Sequence, residues 1–199
     1  MGKLILEMTM SLDGLTAAPK VSVDHPLGED GERLHGWLGI DGSPVSETDR
    51  EISAEMFTDT GAFIFGRRTF DVGEGPWGDD GTFGMPCFVV TNRPREQLVK
   101  GRTTFTFVTD GIESALEQAR AAAGDKDVIV IGGAEVARQY LAAGLIDEVR
   151  IHLMPVLLGA GTRLFDSGPR LQLERTRLVE SPAVTHLTFR VTGSPQKTR

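Results

Sequence analysis

The chain has 199 residues, of which 40% are hydrophobic and 25% charged, a composition typical of a folded globular domain and not of a disordered chain. Its 28 acidic and 21 basic residues give a formal net charge of -7, which argues against a nucleic-acid partner because such partners require a broad basic surface. No apolar stretch approaches the roughly 20 residues that span a bilayer, and no secretory leader core forms before Glu7, so we expect a cytoplasmic protein without a membrane partner.

The first 143 residues alternate short apolar runs with helical patterns. Apolar spacing predicts a helix that begins at Ser46, a second over 112–119 and a third after Gly133. This alternation implies a parallel sheet with short crossover connections. The predicted strands are 3–10, 62–65, 87–91, 105–108 and 127–131, of which 3–10, 87–91 and 127–131 are expected at the centre of the sheet.

After Gly144 the pattern changes to alternation at period two. Runs at 149–153, 171–179 and 187–191 predict antiparallel strands that close one edge of the sheet. No break in composition separates two domains. We therefore expect a single domain over residues 1–192, followed by a disordered polar tail over 193–199.

Two Gly-rich segments, 19–44 and 72–85, interrupt the strands and helices. The first is also rich in Pro and Asp, which predicts a long functional loop or lid with a short helix around 32–38. Trp37 and Trp77 lie in these segments, where a tryptophan either lines a pocket or anchors the packing of a loop.

The cysteine and the histidines indicate neither a disulfide nor a metal site. Cys87 is the one cysteine and stands in an apolar run, where a small buried hydrophobe is expected. The four histidines are scattered without the spacing of metal ligands. His152 and His186 lie on predicted strands and are expected to be hydrogen-bonded or exposed.

Three predicted strands end in residues suited to binding phosphate. After the run 127–131, two glycines lead directly into a helix, which leaves free backbone N–H groups at the positive end of the helix dipole. A Gly-Gly pair also serves close packing of a strand against a helix, and that alternative stays open. Because the carboxyl ends of parallel strands lie along one edge, we expect the three segments to meet there and to bind a phosphate-rich cofactor. The residues concerned are Gly66, Arg67, Arg68 and Thr69; Thr91, Asn92 and Arg93; and Ile131, Gly132, Gly133, Ala134 and Glu135.

Five segments together resemble the successive blocks of the dihydrofolate reductase superfamily. They are 10–14, 65–70, 90–94, 130–135 and a last block of 147–149 with 155–159. The last block is most similar to the reductase domain of the bifunctional riboflavin-biosynthesis deaminase-reductases. The resemblance implies an α/β fold with a mostly parallel eight-stranded sheet, flanking helices and an antiparallel C-terminal edge. It also implies NADPH as the hydride donor and a homodimer.

The resemblance assigns a role to each residue of the strand ends. Gly132, Gly133, Ala134 and Glu135 would hold the pyrophosphate of NADPH, with Ile131 directly before them. The 2′-phosphate that distinguishes NADPH from NADH would lie among Arg67, Arg68, Asn92 and Arg93, next to Gly66 and Thr91. Thr69 would bond a phosphate from the start of its helix.

Two carboxylates are candidates for the catalytic acid. The folate-reducing members of the superfamily have a carboxylate on the helix before the second strand, at the position that Arg50 occupies here. Asp13, in the turn after the first strand, is the first candidate because that turn would aim it over the cofactor, and its alternative role is that of a turn cap. Asp49, one residue from position 50, is the second candidate, with capping of its helix as the alternative role, and Glu51 on the other side of Arg50 is expected to be solvated.

The implied function is an NADPH-dependent reductase of a small heterocyclic or phosphoribosyl substrate. Resemblance to the riboflavin branch makes 5-amino-6-(5-phosphoribosylamino)uracil the first candidate substrate. That branch places a glutamate where Ile131 stands here, so a dihydropteridine or dihydrofolate stays an alternative. A non-catalytic NADP-binding module, which keeps the phosphate site without an acid, is the remaining alternative.

Overall fold

The computed structural model describes residues 2–166 and 168–193, so the predicted tail lies, apart from Gly193, outside the described residues. Within the described residues, no helix is long and apolar enough to cross a membrane. The elements in chain order are β1 (Leu4–Ser11), β2 (Leu15–Ala17), a 3-10 helix (Gly31–Leu38), α1 (Glu47–Thr58), β3 (Thr60–Gly66), α2 (Arg67–Gly73), β4 (Pro86–Val90), β5 (Leu98–Lys100), β6 (Thr103–Val108), α3 (Ile112–Ala123), β7 (Asp127–Val130), α4 (Ala134–Ala142), β8 (Glu148–Met154), β9 (Thr162–Arg163), β10 (Leu173–Glu180) and β11 (Thr185–Val191).

The main sheet has nine strands in the order β10-β11-β8-β1-β7-β3-β4-β6-β5. β1 pairs in parallel with β7 and β8, β3 with β7 and β4, and β4 with β6. Near-continuous apolar strands suit this arrangement because helices and loops cover both faces. The predicted α/β class with a mostly parallel sheet is confirmed. β1 and β7 lie at the centre as expected, whereas β4 lies further out because β3 separates it from β7.

The predicted antiparallel C-terminal edge is also confirmed. β8 pairs antiparallel with β11, and β11 pairs antiparallel with β10. The register between β8 and β11 places His186 opposite His152. At the other edge, the three residues of β5 add a short antiparallel strand to β6, so the sheet has nine strands and not eight.

Different elements cover the two faces of the sheet. α3 and α4 pack on one face, against side chains that include Leu4 and Leu6. On the other face, α2 and the segment that follows it cover an aromatic group around Phe65 and Phe105. Cys87 is fully buried in this group, and burial raises the pKa of its thiol, as suits a small hydrophobe.

The 3-10 helix and α1 cover the remainder of this second face, beside β1 and β8. Trp37 of the 3-10 helix is buried, and its indole Nε1 donates a hydrogen bond to Thr9 Oγ1 at 3.1 Å. α1 begins as predicted after Ser46, whose hydroxyl accepts a hydrogen bond from the Asp49 amide. Trp37 therefore anchors the long segment 19–44 to the sheet.

Candidate functional site

The three strand ends expected to bind phosphate are neighbours along the carboxyl edge of the sheet. β3 lies between β4 and β7, with Gly66 paired to Val90. The Gly66 amide donates to the carbonyl of Gly132 at 2.8 Å, which joins the β3 end to the β7 end. We call these residues the strand-end cluster: Gly66, Arg67, Arg68, Thr69, Thr91, Asn92, Arg93, Ile131, Gly132, Gly133, Ala134 and Glu135.

Gly132 and Gly133, directly after β7, place no side chain between their backbone and Thr69. A Cβ added to Gly133 would lie 3.3 Å from Thr69 Oγ1, and one added to Gly132 would lie 3.6 Å from the same atom. Gly132 has φ +135°, a conformation that other residues rarely adopt, and the peptide between Gly132 and Gly133 is cis. The two glycines therefore place backbone, with no intervening side chain, opposite a hydroxyl group.

α4 starts at this point with no side chain capping its first turn. Its nine residues begin at Ala134, so that its first N–H groups face the carboxyl edge of the sheet at the positive end of the helix dipole. The Thr69 hydroxyl forms no hydrogen bond with any residue that the structure describes. Both groups are thus available to an anion.

Two arginines of the strand-end cluster share one counter-ion. Arg67 Nε and Arg93 Nη2 each lie 2.6 Å from a different oxygen of Asp71. Burial alone would raise the pKa of Asp71, but the hydrogen bonds from Arg67 and Arg93 outweigh it and lower that pKa. Asp71 thus holds both guanidinium groups in place next to the cluster.

An aromatic surface lies beneath these arginines. The guanidinium carbon of Arg67 is 5.4 Å from the ring centroid of Phe107, and that of Arg95 is 5.3 Å from it. Arg95 also forms two hydrogen bonds with Glu74, at 3.0 and 3.1 Å. Arg95 and Asp71 were not predicted from the sequence, although the i,i+4 spacing of Asp71 from Arg67 on a helix was an available signal for their ion pair.

The remaining members of the strand-end cluster differ in their exposure. Arg68 Nη2 donates to the Val21 carbonyl at 3.2 Å, which ties segment 19–44 to this edge, and Asn92 is exposed. Glu135 pairs with Arg138 of its own helix at 2.9 Å, so its carboxylate is neutralised on the surface of α4. Ile131 packs against the aromatic group of the second face.

These features fit a phosphate-rich dinucleotide. The free N-terminus of α4 and the Thr69 hydroxyl suit a pyrophosphate, and the cluster contributes three guanidinium groups beside it. Asp71 neutralises one of these charges, which leaves a net positive charge for a further phosphate. The chemistry of the donor set is therefore that of a site for several phosphate groups.

Asp13 is occupied by hydrogen bonds from its own surroundings. Its carboxylate accepts bonds from Ser11 Oγ at 2.6 Å and from the amides of Gly159 and Leu158, at 2.7 and 3.2 Å. The Ser11 hydroxyl and the Gly159 amide lower its pKa to about 2. This carboxylate is therefore ionised at neutral pH and joins the turn after β1 to the segment after β8.

Asp49 is 1% exposed and lies at the start of α1. Its Oδ1 is 3.0 Å from Nε2 of His186. Burial would raise the pKa of Asp49, but the hydrogen bonds from His186, Ser46 and Ser181 outweigh it and lower that pKa. One oxygen of this carboxylate therefore bonds an imidazole, whereas the other, Oδ2, is buried without a hydrogen-bond partner among the described residues.

His186 begins a buried series of polar contacts that sequence reasoning missed. His186 Nδ1 lies 2.7 Å from His152 Nδ1, and His152 Nε2 lies 3.2 Å from Glu7 Oε1. We call Asp49, His186, His152 and Glu7 the histidine chain. The expectation that the two histidines are hydrogen-bonded is met, but their partners come from distant parts of the sequence.

A cavity of about 570 Å³ opens beside the histidine chain, on the face that α1 covers. Glu7, His152 and His186 form part of its wall, with Arg150 next to them. Arg177 and Glu55 form an ion pair at another part of this wall. The volume is in the range of small-molecule sites.

Comparison with known proteins gives consistent matches over nearly the whole chain. A family model described as the RibD C-terminal domain matches residues 2–187. The uncharacterized protein YyaP of Bacillus subtilis (strain 168) is 35% identical over 197 residues, which cover 92% of this chain and 92% of YyaP. A solved structure from Shewanella sp. PV-4, provisionally assigned to riboflavin biosynthesis, has a TM-score of 0.72 at 21% identity, covering 96% of this chain and 99% of that one. Dihydrofolate reductase from Enterococcus faecalis, complexed with NADP(H) and RAB-propyl, has a TM-score of 0.61 at 15% identity, covering 96% and 98%.

Proposed function

The chain belongs to the RibD C-terminal domain family, and from this premise we propose that it is an NADPH-dependent reductase of a small heterocyclic substrate. The observation that carries the proposal is the meeting of the β3, β4 and β7 ends at one edge of the sheet. Two independent groups for binding anions, the start of α4 and the arginines around Asp71, lie at that edge.

The residues of the strand-end cluster divide the cofactor between them in this proposal. The amides at the start of α4 and the hydroxyl of Thr69 hold the pyrophosphate, because Gly132 and Gly133 leave room for it. Arg67 and Arg93, held in place by Asp71, bind the 2′-phosphate, and Arg68 and Asn92 lie at the rim. NADPH supplies a hydride when bound, and the protein positions the substrate and controls the proton.

The substrate surface adjoins the turn after β1. Leu12, Leu157 and Phe165 are 62%, 72% and 52% exposed, and backbone hydrogen bonds hold their segments together at this edge. Exposed apolar side chains grouped in this way suit the face of a flat heterocycle. Arg163, whose Nη1 donates to the Asp13 carbonyl at 3.0 Å, supplies a cation for a phosphorylated substituent.

An apolar surface next to the cation of Arg163 supports a phosphoribosyl-substituted pyrimidine as substrate. The first candidate is 5-amino-6-(5-phosphoribosylamino)uracil. A dihydropteridine is the second candidate, since it offers the same flat heterocycle without the phosphate. The engagement of Asp13 and Asp49 in contacts with the protein favours a third candidate, a non-catalytic NADP-binding module.

The proposal is tested by measuring the binding of NADPH and NADH, and the oxidation of NADPH with flavin precursors, pteridines and quinones. We expect tighter binding of NADPH than of NADH, and oxidation of NADPH with the phosphoribosylaminouracil. Oxidation with pteridines alone would replace the first substrate by the second. Tight binding with no oxidation on any compound would identify a binding module, and no binding would overturn the proposal.

A further inference from the structure

Arg138 of α4 reaches from its helix to the segment that carries Arg163. Its Nη1 atom donates a hydrogen bond to the carbonyl oxygen of Arg163 at 3.0 Å. Its Nη2 atom lies 2.9 Å from Oε2 of Glu135, which is three residues earlier, in the first turn of the same helix. One guanidinium group therefore joins the start of α4 to β9.

Glu135 fixes the direction of this guanidinium group. The hydrogen bond from Arg138 lowers the pKa of the Glu135 carboxyl, so a carboxylate faces the guanidinium group at neutral pH. The planar fork of Arg138 thus has one nitrogen on a carboxylate and another on a carbonyl oxygen. The Arg138 side chain is also only 25% exposed, so packing restricts it in addition to these two contacts.

Arg163 lies over the turn that follows β1. Its Nη1 atom donates to the Asp13 carbonyl at 3.0 Å, and a Cβ added to Gly14 would lie 3.6 Å from the same nitrogen. The Leu164 amide donates to the Gly14 carbonyl at 3.1 Å, and β9 pairs with β2. The backbone of Arg163 is therefore held by α4, while its guanidinium group lies at the turn that adjoins the proposed substrate surface.

The fold of this segment does not depend on the contact with Arg138. Leu164 is fully buried in the hydrophobic cluster that also contains Ala137 and Tyr140 of α4. Burial of a leucine side chain holds the backbone after Arg163 without a polar contact. Loss of the Arg138 hydrogen bond should therefore change the orientation of Arg163 and not the fold.

α4 and Arg163 belong to the two halves of the proposed site. The start of α4 is the position proposed for the pyrophosphate, and Arg163 is the cation proposed for a phosphorylated substituent of the substrate. α4 follows β7 and the turn at Asp13 follows β1, and these two strands are parallel neighbours. Arg138 therefore connects two ligand positions at the same edge of the sheet.

We propose that Arg138 is a positioning residue that couples binding of the cofactor to binding of the substrate. This inference rests on the proposed reductase function. Dinucleotide phosphates at the start of α4 restrain the helix, Arg138 transmits this restraint to the backbone of Arg163, and Arg163 presents its guanidinium group to the substrate phosphate. Arg138 acts through Arg163 and binds no ligand itself. Because coupling between two binding sites is reciprocal, each ligand should tighten the binding of the other by the same factor.

The first test requires no turnover. Hydrogen–deuterium exchange of the full-length protein, with and without NADPH, reports on the amides of Gly159 and Leu164, which donate to Asp13 and Gly14. We expect bound NADPH to slow exchange of these two amides about 5-fold or more in wild type, and to slow exchange in Arg138→Ala only at the start of α4. Equal slowing of the two amides in both proteins would overturn the proposal, as would unchanged exchange in wild type with NADPH bound. Failure of NADPH to bind would overturn the proposed function and the coupling with it.

The second test compares the candidate substrate with and without its phosphate. Dissociation constants are measured with NADP⁺ bound, a state in which no hydride is transferred, for 5-amino-6-(5-phosphoribosylamino)uracil and 5-amino-6-(ribosylamino)uracil. We expect Arg138→Ala and Arg163→Ala each to weaken binding of the phosphorylated compound about 10-fold and to change that of the other compound less than about 2-fold. Equal weakening of both compounds would show a merely structural role and overturn the proposal. Oxidation of NADPH with pteridines, without binding of the phosphorylated compound by wild type, would also overturn it and leave the reductase standing.

A double variant separates action through Arg163 from direct action. Arg138→Ala combined with Arg163→Ala should bind the phosphorylated compound as weakly as Arg163→Ala alone, whereas additive losses would contradict the proposal. Arg175→Ala, which removes one positive charge from β10, is the control and should bind both compounds as wild type does. The affinity of Arg138→Ala for NADPH should stay within about 3-fold of wild type, because the exposed Glu135 carboxylate is screened by solvent. Retained NADPH binding shows that a loss of substrate binding is not misfolding.

Discussion

The Oδ2 atom of Asp13 accepts a hydrogen bond from the amide of Gly159 at 2.7 Å, so that a turn near the start of the chain is fixed to a segment 146 residues later. The amides of Leu158 and Gly159 now donate hydrogen bonds to the Asp13 carboxylate. An Asn side chain would present an NH₂ group to one of these amides, so that two donors would face each other. We expect Asp13→Asn to lower the melting temperature and to reduce kcat by loosening the substrate surface. The pH dependence of the remaining activity should match that of wild type, because the pKa of Asp13 is about 2 and its carboxylate is ionised throughout the working range. Loss of a titration step in the pH profile of this variant would instead identify Asp13 as the acid.

Arg67 is predicted to determine selectivity for NADPH. Its guanidinium group forms a 2.6 Å contact with Asp71 and lies over Phe107, next to the proposed 2′-phosphate position. Arg67→Ala should weaken NADPH binding by about 10- to 100-fold, which corresponds to a charge-assisted contact of about 1.5–3 kcal/mol, and should change NADH binding much less. Isothermal titration with both nucleotides measures the difference. Arg175→Ala is the control, because it also removes one positive charge but lies on β10, the edge strand beyond β11. It should leave both affinities unchanged. Equal weakening of the two nucleotides would disprove the assignment.

Thr69 is predicted to contribute to binding without contributing to the fold. Its hydroxyl has no hydrogen-bond partner among the described residues, and it faces the backbone of Gly133. Thr69→Val keeps the shape of the side chain, so the free energy of unfolding in urea should change by less than about 0.5 kcal/mol. The affinities for NADPH and NADH should both fall about 5- to 10-fold, which corresponds to one hydrogen bond. A large loss of stability with unchanged affinity would show that the hydroxyl is structural.

His35 is predicted to make the protein sensitive to acid. Burial lowers its pKa to about 4 in the folded chain, against an ordinary value of 6.5, and the nearby His152 acts in the same direction. The unfolded chain therefore binds more protons between these two pH values, and the free energy of unfolding should fall by about 3 kcal/mol as the pH is lowered through that window.

Urea titrations at several pH values measure this loss. His35→Gln should remove most of it, and the lowered pKa of His186 accounts for a remaining part in the same direction. His25→Gln, at an exposed position, should retain the full loss. A pH dependence identical in His35→Gln and wild type would contradict the prediction.

Local pattern was enough to predict most of the fold. Apolar runs such as 127–131 and the change of periodicity after Gly144 predict the parallel sheet and its antiparallel edge, because both depend on neighbouring residues. The five sequence segments also identify the family correctly. Strand order was less accessible: the position of β3 between β7 and β4 depends on packing across the whole sheet, which no single segment encodes.

The candidate site was accessible from sequence only where its residues are consecutive. The strand-end cluster consists of three short segments, and each of them has a recognisable composition. The histidine chain consists of residues that are far apart in the sequence: pairing of β1, β8 and β11 brings Glu7, His152 and His186 together, and α1 adds Asp49. Roles of the cluster residues, the homodimer and the single-domain boundary at residue 192 stay predictions.

Phe107 lies beneath both Arg67 and Arg95, at 5.4 and 5.3 Å from their guanidinium carbons. Its ring also packs edge-on against Phe70 at 4.9 Å, within the aromatic group that includes Trp77 and Phe105. The orientation of a surface arginine is thereby coupled to hydrophobic packing through its contact with the ring face. If Arg67 selects the nucleotide as proposed, substitutions such as Phe107→Leu, which touch neither nucleotide, should also change the preference between NADPH and NADH, so the evolution of the core and that of cofactor preference would be coupled in this chain.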